Sequence, residues 1–311
     1  MMKENNTNNP LVSIGVPVYN GAKYLRECLD SIVRQSYSNW ECVIINNKST
    51  DNTSNIAEEY VNQDKRFKLY HTKELLPLVD NWNYCYSMIS DIAAFFKIVP
   101  ADDWIYPEYL EEMVPAMEAN KQTGVCSSYR IDETKVSATG LSPYDGNVFN
   151  GKDIIARELL YDILDITGSV NTVLYRNDYL KKIPTYPAIH SKENLHCDTD
   201  LTYEVLNISD LYFVFKILSF TRQHNESVTS FALRNRTFIN AREKLVHKYK
   251  HLDKRMERTY SQIRIEYAKQ IIKRKLKRDK EFIQWHKNNL PRWFSLKEYL
   301  MVFLRKITTG K

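Results

Sequence analysis

Along the first half of the chain, short apolar blocks alternate with stretches in which apolar residues recur at helical spacing. Leu11-Val12-Ser13-Ile14-Gly15-Val16-Pro17-Val18, bounded by Pro10 and by Asn20-Gly21, predicts a buried strand followed by a turn. Tyr24, Leu25, Cys28, Leu29, Ile32 and Val33 then mark one face of a helix. Trp40 to Ile45 predicts a second strand, about Asn52 to Asn62 a helix capped by Thr50 or Asp51, Phe67 to His71 a third strand, and Leu78 to Ser90 a further helix. The run Ile92 to Val99 is apolar apart from Lys97, and a helix is expected to open at Pro107-Glu108. Strands and helices alternating at these lengths imply an α/β fold around a mainly parallel sheet.

The second half continues with a strand over Val125 to Ile131, a polar hairpin-like segment up to Gly151 and a helix to about Leu164. Gly168 to Tyr175 then turns back toward the strand ends. A polar loop over Tyr186 to Cys197 leads into a helix opened by His196-Cys197-Asp198-Thr199-Asp200 and running through Leu206, and Leu211 to Phe220 predicts a last strand. From Thr237 the pattern is helical, with Leu245, Leu252, Met256, Ile263, Tyr267 and Ile271 on one stripe. Pro291-Arg292-Trp293-Phe294 interrupts it before an apolar segment, Leu296 to Leu304, flanked by Lys297, Arg305 and Lys306.

Composition narrows the possibilities. A chain of 311 residues suits one large domain or two modest ones. No run approaches the roughly 20 apolar residues of a spanning helix, and the Asn-rich start, residues 1–10, is expected to be disordered and lacks the apolar segment of a secretory signal. Five cysteines without a CxxC pair argue against a disulfide framework or a zinc site and fit a cytoplasmic protein. The net charge of +6 is unevenly placed: residues 241–311 hold 21 Lys+Arg against 7 Asp+Glu, so the remainder is net acidic. Such a tail seeks an anionic partner. Nucleic acid is disfavoured, because charge is the whole of the signal and no recognition motif accompanies it. Trp293 and Phe294 beside basic residues suit the surface of an anionic membrane, which would place the protein at the inner face of the cell membrane. Helices packed on the body of the protein with a solvated basic face are the other reading.

The chemistry gathers at Asp102-Asp103. Two adjacent carboxylates after a buried strand are costly without a positive partner. Mg²⁺ uses one or two carboxylates together with substrate phosphates, whereas Asp is also favoured as a helix cap. Ligands of parallel sheets gather at the carboxyl ends of strands, and Pro17 to Asn20, Asn46-Asn47 and Asp102-Asp103 are three such ends. That convergence favours the metal over the cap.

Val16-Pro17-Val18-Tyr19-Asn20, then Val43-Ile44-Ile45-Asn46-Asn47-Lys48-Ser49-Thr50-Asp51-Asn52-Thr53, then Ala101-Asp102-Asp103-Trp104 resemble the signature of family 2 glycosyltransferases of the GT-A fold. The resemblance is close over residues 11–120 and extends to about residue 230. It implies a GT-A domain over 11–236, with a nucleotide-sugar half (11–120) and an acceptor half (121–236), followed by a basic helical extension over 237–311. It implies an inverting, metal-dependent transfer from a nucleoside-diphosphate sugar, a UDP-sugar first among them, to a hydroxyl of a glycan or lipid-linked glycan, as in bacterial surface polysaccharide synthesis. A catalytically degenerate nucleotide-sugar or polyanion-binding protein is the alternative.

Residue by residue, the resemblance implies that the first strand end, with Pro17 and Tyr19, holds the base. Asn46 and Asn47 stand where the family has two aspartates, and Asn47 remains able to contact the base. Lys48 replaces a usual Gly. Asp102 is implied at the ribose and Asp103 at Mg²⁺ or Mn²⁺, with Pro100 where a third Asp is common. Asn81, Asn83 and Lys97 fall where relatives carry polar groups facing the nucleotide. Asp198 is the implied catalytic base, with Cys197 in place of a usual Glu, Asp200 as scaffold or cap, and His196 as the next choice of base. Asp198 and Asp200 as idle helix-terminal acids is the other reading. Arg222 is implied near the diphosphate, and His224 as a second metal ligand or leaving-group contact.

Overall fold

The computed structural model describes residues 9–183, 195–224, 230, 238–276 and 280. The chain divides into two compact units. The first comprises Met1–Glu158, Asp162–Pro187 and Cys197–Gln223; the second comprises Leu159–Tyr161, Ala188–His196 and His224–Lys311.

The first unit is built on a mixed, mainly parallel sheet. Its strands are β1 (Val12–Val18), β2 (Trp40–Asn46), β3 (Phe67–His71), β4 (Phe95–Ile98), β5 (Trp104–Ile105), β6 (Thr123–Asp132), β7 (Lys135–Ser137), β8 (Val148–Phe149), β9 (Leu174–Arg176) and β10 (Asp210–Thr221). The order is β3-β2-β1-β4-β9-β6-β10-β5, with β7 on β6 and β8 on β10. Strands β3, β2, β1 and β4 are parallel, as are β6 and β10, while β9 runs antiparallel between β4 and β6. All seven residues of β1 and of β2 are buried. This explains their unbroken apolar character, since helices cover both faces of a central parallel strand.

The helices are α1 (Leu25–Val33), α2 (Thr53–Gln63), α3 (Leu78–Ser87), α4 (Tyr109–Ala119), α5 (Gly151–Leu160), α6 (Asn177–Leu180) and α7 (Cys197–Leu206). Leu25, Cys28, Leu29 and Ile32 form the buried face of α1, as their spacing requires. Gly15 permits the close approach of α3 to β1: a Cβ there would lie 2.5 Å from Cys85 Sγ. Two expectations shift and one element is unforeseen. The apolar run at 92–99 becomes strand only from Phe95, because Ile92 is exposed. Helix α5 stops at Leu160 rather than near Leu164, where Tyr161 adopts φ +64°. Strand β5 is too short to carry a periodic signal and is created by pairing with β10.

The second unit contains α8 (Phe238–Tyr249) and α9 (Arg255–Leu276). Leu245, Met256, Ile263, Tyr267 and Ile271 are buried, and Leu252 is half-buried, so the apolar stripe of these helices is spent on packing. Among the described residues no helix is long and apolar enough to cross a membrane. The Pro291–Leu304 region, expected at a membrane surface, and residues 186–194 of the expected polar loop lie outside the described residues.

Candidate functional site

The loops after β1 and β2 are knitted together by side chains. Asn20, at φ +49°, accepts from Thr50 N–H at 2.8 Å, and its own N–H donates to Ser49 Oγ at 2.9 Å. Asp51 accepts from Ala22 N–H at 3.0 Å and from Thr53 N–H at 3.0 Å, while Thr53 Oγ1 accepts from Gly21 N–H at 2.9 Å. Burial alone would raise the Asp51 carboxyl, but these hydrogen bonds hold it below the usual range. These bonds make a turn of residues 49–51, whereas the N-cap of α2 is Asn52, one residue beyond the expected Thr50 or Asp51, and has no side-chain cap bond. Tyr19 projects from the end of β1 with 49% exposure, and Pro17 is buried in register with Ile45.

Both asparagines at the end of β2 are engaged by the protein. Asn46 Oδ1 accepts from Ser49 N–H at 3.0 Å, and its amide nitrogen lies 3.3 Å from His71 Nδ1. Asn47 makes a reciprocal pair with the backbone of Leu76: Nδ2 donates to Leu76 O and Oδ1 accepts from Leu76 N–H, each at 2.9 Å. The amide expected to face a base thus holds the segment after β3. Lys48 occupies the left-handed region at φ +56°, which accounts for a Gly being usual there. Lys48→Gly is expected to raise the unfolding free energy by up to about 1 kcal/mol, the left-handed penalty less the entropy of the added glycine; urea unfolding measures it.

The acidic pair closes a turn in which Asp103 N–H donates to Pro100 O at 3.0 Å. Asp103 is only 4% exposed, whereas Asp102 is half-buried. Asp103 Oδ1 accepts from Arg222 N–H at 2.8 Å, and Arg222 Nε donates to Asp102 O at 3.1 Å. Burial pushes the Asp103 carboxyl well above the usual range and the Asp102 charge adds to this, while the Arg222 N–H, Arg130 and Lys97 oppose it. The Arg222 guanidinium pairs with Glu27 and lies 4.4 Å over the Tyr24 ring and 5.1 Å from that of Trp104. Its charge is therefore already matched within the protein. Trp104 in turn stacks on Phe220 with centroids 3.7 Å apart.

Lys97 does not present its amine to solvent. It is fully buried, and Nζ donates to the carbonyls of Val170, Asn171 and Val173. Asn83 is half-buried on α3, and the Oδ1 of the buried Asn81 has no hydrogen-bond partner among the described residues.

Asp198 lies half-buried in the first turn of α7, with Oδ1 accepting from Thr199 N–H at 2.8 Å; Asp200 is 4% exposed. Helix α7 is held by two buried links. Tyr175 of β9 bonds Thr202 at 2.8 Å, and Tyr203 donates to Glu158 at 3.0 Å. Glu158 also accepts from the N–H and hydroxyl of Thr167, so one buried carboxyl joins α5, the 165–168 turn and the helix that carries Asp198. Burial raises its pKa, against the hydrogen bonds from Thr167 and Tyr203. An acid raised on folding binds extra protons in the native state, so its stabilisation fades as pH climbs past its ordinary value of 4.5. The unfolding free energy of Glu158→Gln, relative to the parent, is therefore expected to improve between about pH 4 and pH 7; denaturant titrations at both ends of the range test this. His224 belongs to the second unit, where its carbonyl accepts from Ser230 Oγ at 2.8 Å.

The Glycosyl transferase family 2 profile matches residues 13–183. The chain belongs to the family 2 glycosyltransferases. An uncharacterized glycosyltransferase of Rickettsia typhi is 33% identical over 235 residues, covering 75% of this chain and 70% of that protein. Other relatives are longer, the match spanning 35% of one and 33% of another. S. aureus TarS in complex with UDP-GlcNAc superposes with a TM-score of 0.63 at 18% identity, over 82% of this chain and 73% of that one. The mannosyltransferase PcManGT of Pyrobaculum calidifontis, in complex with GDP-Man and Mn2+, does so with a TM-score of 0.55 at 14% identity, over 98% and 89%. Both likenesses speak to the GT-A fold.

GT-A glycosyltransferases generally use divalent metals. In this one, no group of three or more His, Cys, Asp or Glu among the described residues could hold a cation by itself. The donor set, Asp102 with Asp103 behind it, fits a hard cation shared with substrate phosphates rather than a protein cage. Of the two carboxylates Asp102 is the more accessible. Glu27 and Asn171 carry no sequence signal because their partners are distant in the chain. Lys97 did give a signal: a lone ammonium among Phe95, Phe96 and Ile98 had to find buried acceptors.

Proposed function

We propose that this glycosyltransferase moves a sugar, with inversion, from a nucleoside-diphosphate sugar to a hydroxyl of a glycan or lipid-linked glycan, in the assembly of a bacterial surface polysaccharide. The carrying observation is the turn after β4, where Asp102 is accessible and Asp103 is fixed behind it by Arg222 N–H. Tyr19 offers an exposed aromatic face to the base. Asp102, backed by Asp103, would hold Mg²⁺ or Mn²⁺. When bound, the cation supplies charge stabilisation to the departing diphosphate. Asp198 accepts the proton of the acceptor hydroxyl as that oxygen attacks the anomeric carbon opposite the leaving group. No covalent intermediate is needed. With Arg222 already paired to Glu27, its part is to hold the turn rather than to bind phosphate.

The base stays open between uridine and guanosine, because the Asn47 amide is committed to Leu76. Support for a membrane-side location rests on the basic excess in residues 241–311. The test is a panel of UDP- and GDP-sugars assayed for hydrolysis with Mn²⁺, Mg²⁺ or EDTA. Metal-dependent release of nucleoside diphosphate from one donor is expected. Tight binding of a nucleotide sugar with no turnover on any acceptor would instead mark a degenerate binding protein.

A further inference from the structure

We infer that Lys97 and Asn171 form one buried positioning unit that presets the Asp102-Asp103 turn before donor or cation arrives. The inference rests on the donor-site reading above and assigns that site residues that touch neither sugar nor nucleotide.

The unit begins with four consecutive carbonyls. Those of Val170, Asn171 and Val173 accept from Lys97 Nζ at 3.1, 2.7 and 3.4 Å, and that of Thr172 accepts from Tyr109 Oη at 3.1 Å. The same ammonium lies 4.6 Å over the Tyr109 ring. Buried carbonyls that all point inward need donors, and Lys97 Nζ supplies them to three of the four. The turn presents Asn171, which is fully buried. Its Nδ2 donates to Trp104 O at 3.2 Å and to Phe220 O at 2.9 Å. The orientation is fixed by chemistry, since a flipped amide would set Oδ1 against two carbonyls.

Trp104 and Phe220 are cross-strand partners in the β5–β10 bridge. One immediately follows Asp103, and the other stands two residues before Arg222, whose N–H holds the Asp103 carboxylate. The Asn171 amide therefore clamps both strands on which the acidic turn hangs. Through this path Lys97, on β4, controls the carboxylates at the end of its own strand.

The test is calorimetric binding of UDP and of GDP to the full chain, with and without Mn²⁺, using whichever nucleotide binds the parent more tightly. In Asn171→Ala the strengthening of nucleotide binding by Mn²⁺ is expected to shrink on the order of tenfold, as the loss of two hydrogen bonds allows, while metal-free affinity stays within about twofold. Lys97→Met, or Asn171→Ser if either variant fails to fold, should give the same selective loss. A purely structural role would lower the melting temperature and leave the Mn²⁺ increment intact; that result overturns the inference alone. Absence of any Mn²⁺ increment in the parent, with either nucleotide, overturns the donor-site reading and this inference together.

Discussion

Asp102→Asn is expected to lower kcat/KM by about 10³-fold or more with the donor that the panel identifies, whereas Asp103→Asn should cost about 10- to 100-fold. The contrast follows from access. Asp102 is half-buried, while Asp103 is 4% exposed and already accepts from the Arg222 N–H. An Asn at 103 keeps that acceptor and loses only the charge behind the cation. An Asn at 102 removes the anionic oxygen that a hard cation requires. Steady-state rates across a Mn²⁺ titration separate the two, and raising the Mn²⁺ concentration should recover part of the Asp103→Asn loss but little of the other. Equal losses, or the reverse order, would return the cation to Asp103.

Asp198→Asn should reduce turnover by roughly 10²- to 10⁴-fold, the span attributed to one positioned general base, with donor affinity nearly unchanged. The side chain already receives one N–H at the start of α7, from Thr199. An Asn retains that acceptor, so the helix should persist and the loss should fall on proton transfer. Comparing kcat for transfer with calorimetric affinity for the donor gives the split. Unchanged turnover would reduce Asp198 to a favourable charge at a helix terminus.

Much of the fold was legible because its signals are local. Phe67 to His71 appears as strand over the expected residues, and the apolar runs at 12–18 and 40–46 became parallel neighbours in the sheet. The same locality failed at β5, whose two residues are ordered by β10 more than a hundred positions away. At the site, residue types and spacing were enough to find the strand-end turns. They did not reveal that the Asn47 amide is committed to Leu76, or that Arg222 is matched by Glu27. Both partners are contacts of the folded chain, with no periodicity to announce them.

What the sequence determined by itself was the α/β class, the glycosyltransferase family and the existence of an acidic turn after the fourth strand. Each follows from hydrophobic period or from motif order, which survive in one dimension. Only the tertiary structure decided which carboxylate of the pair is the more exposed and where the Lys97 amine goes. A turn residue's exposure depends on the elements folded over it, here β10 over Asp103. The destination of a buried charge depends on which carbonyls the chain returns to it, here those of residues 170–173.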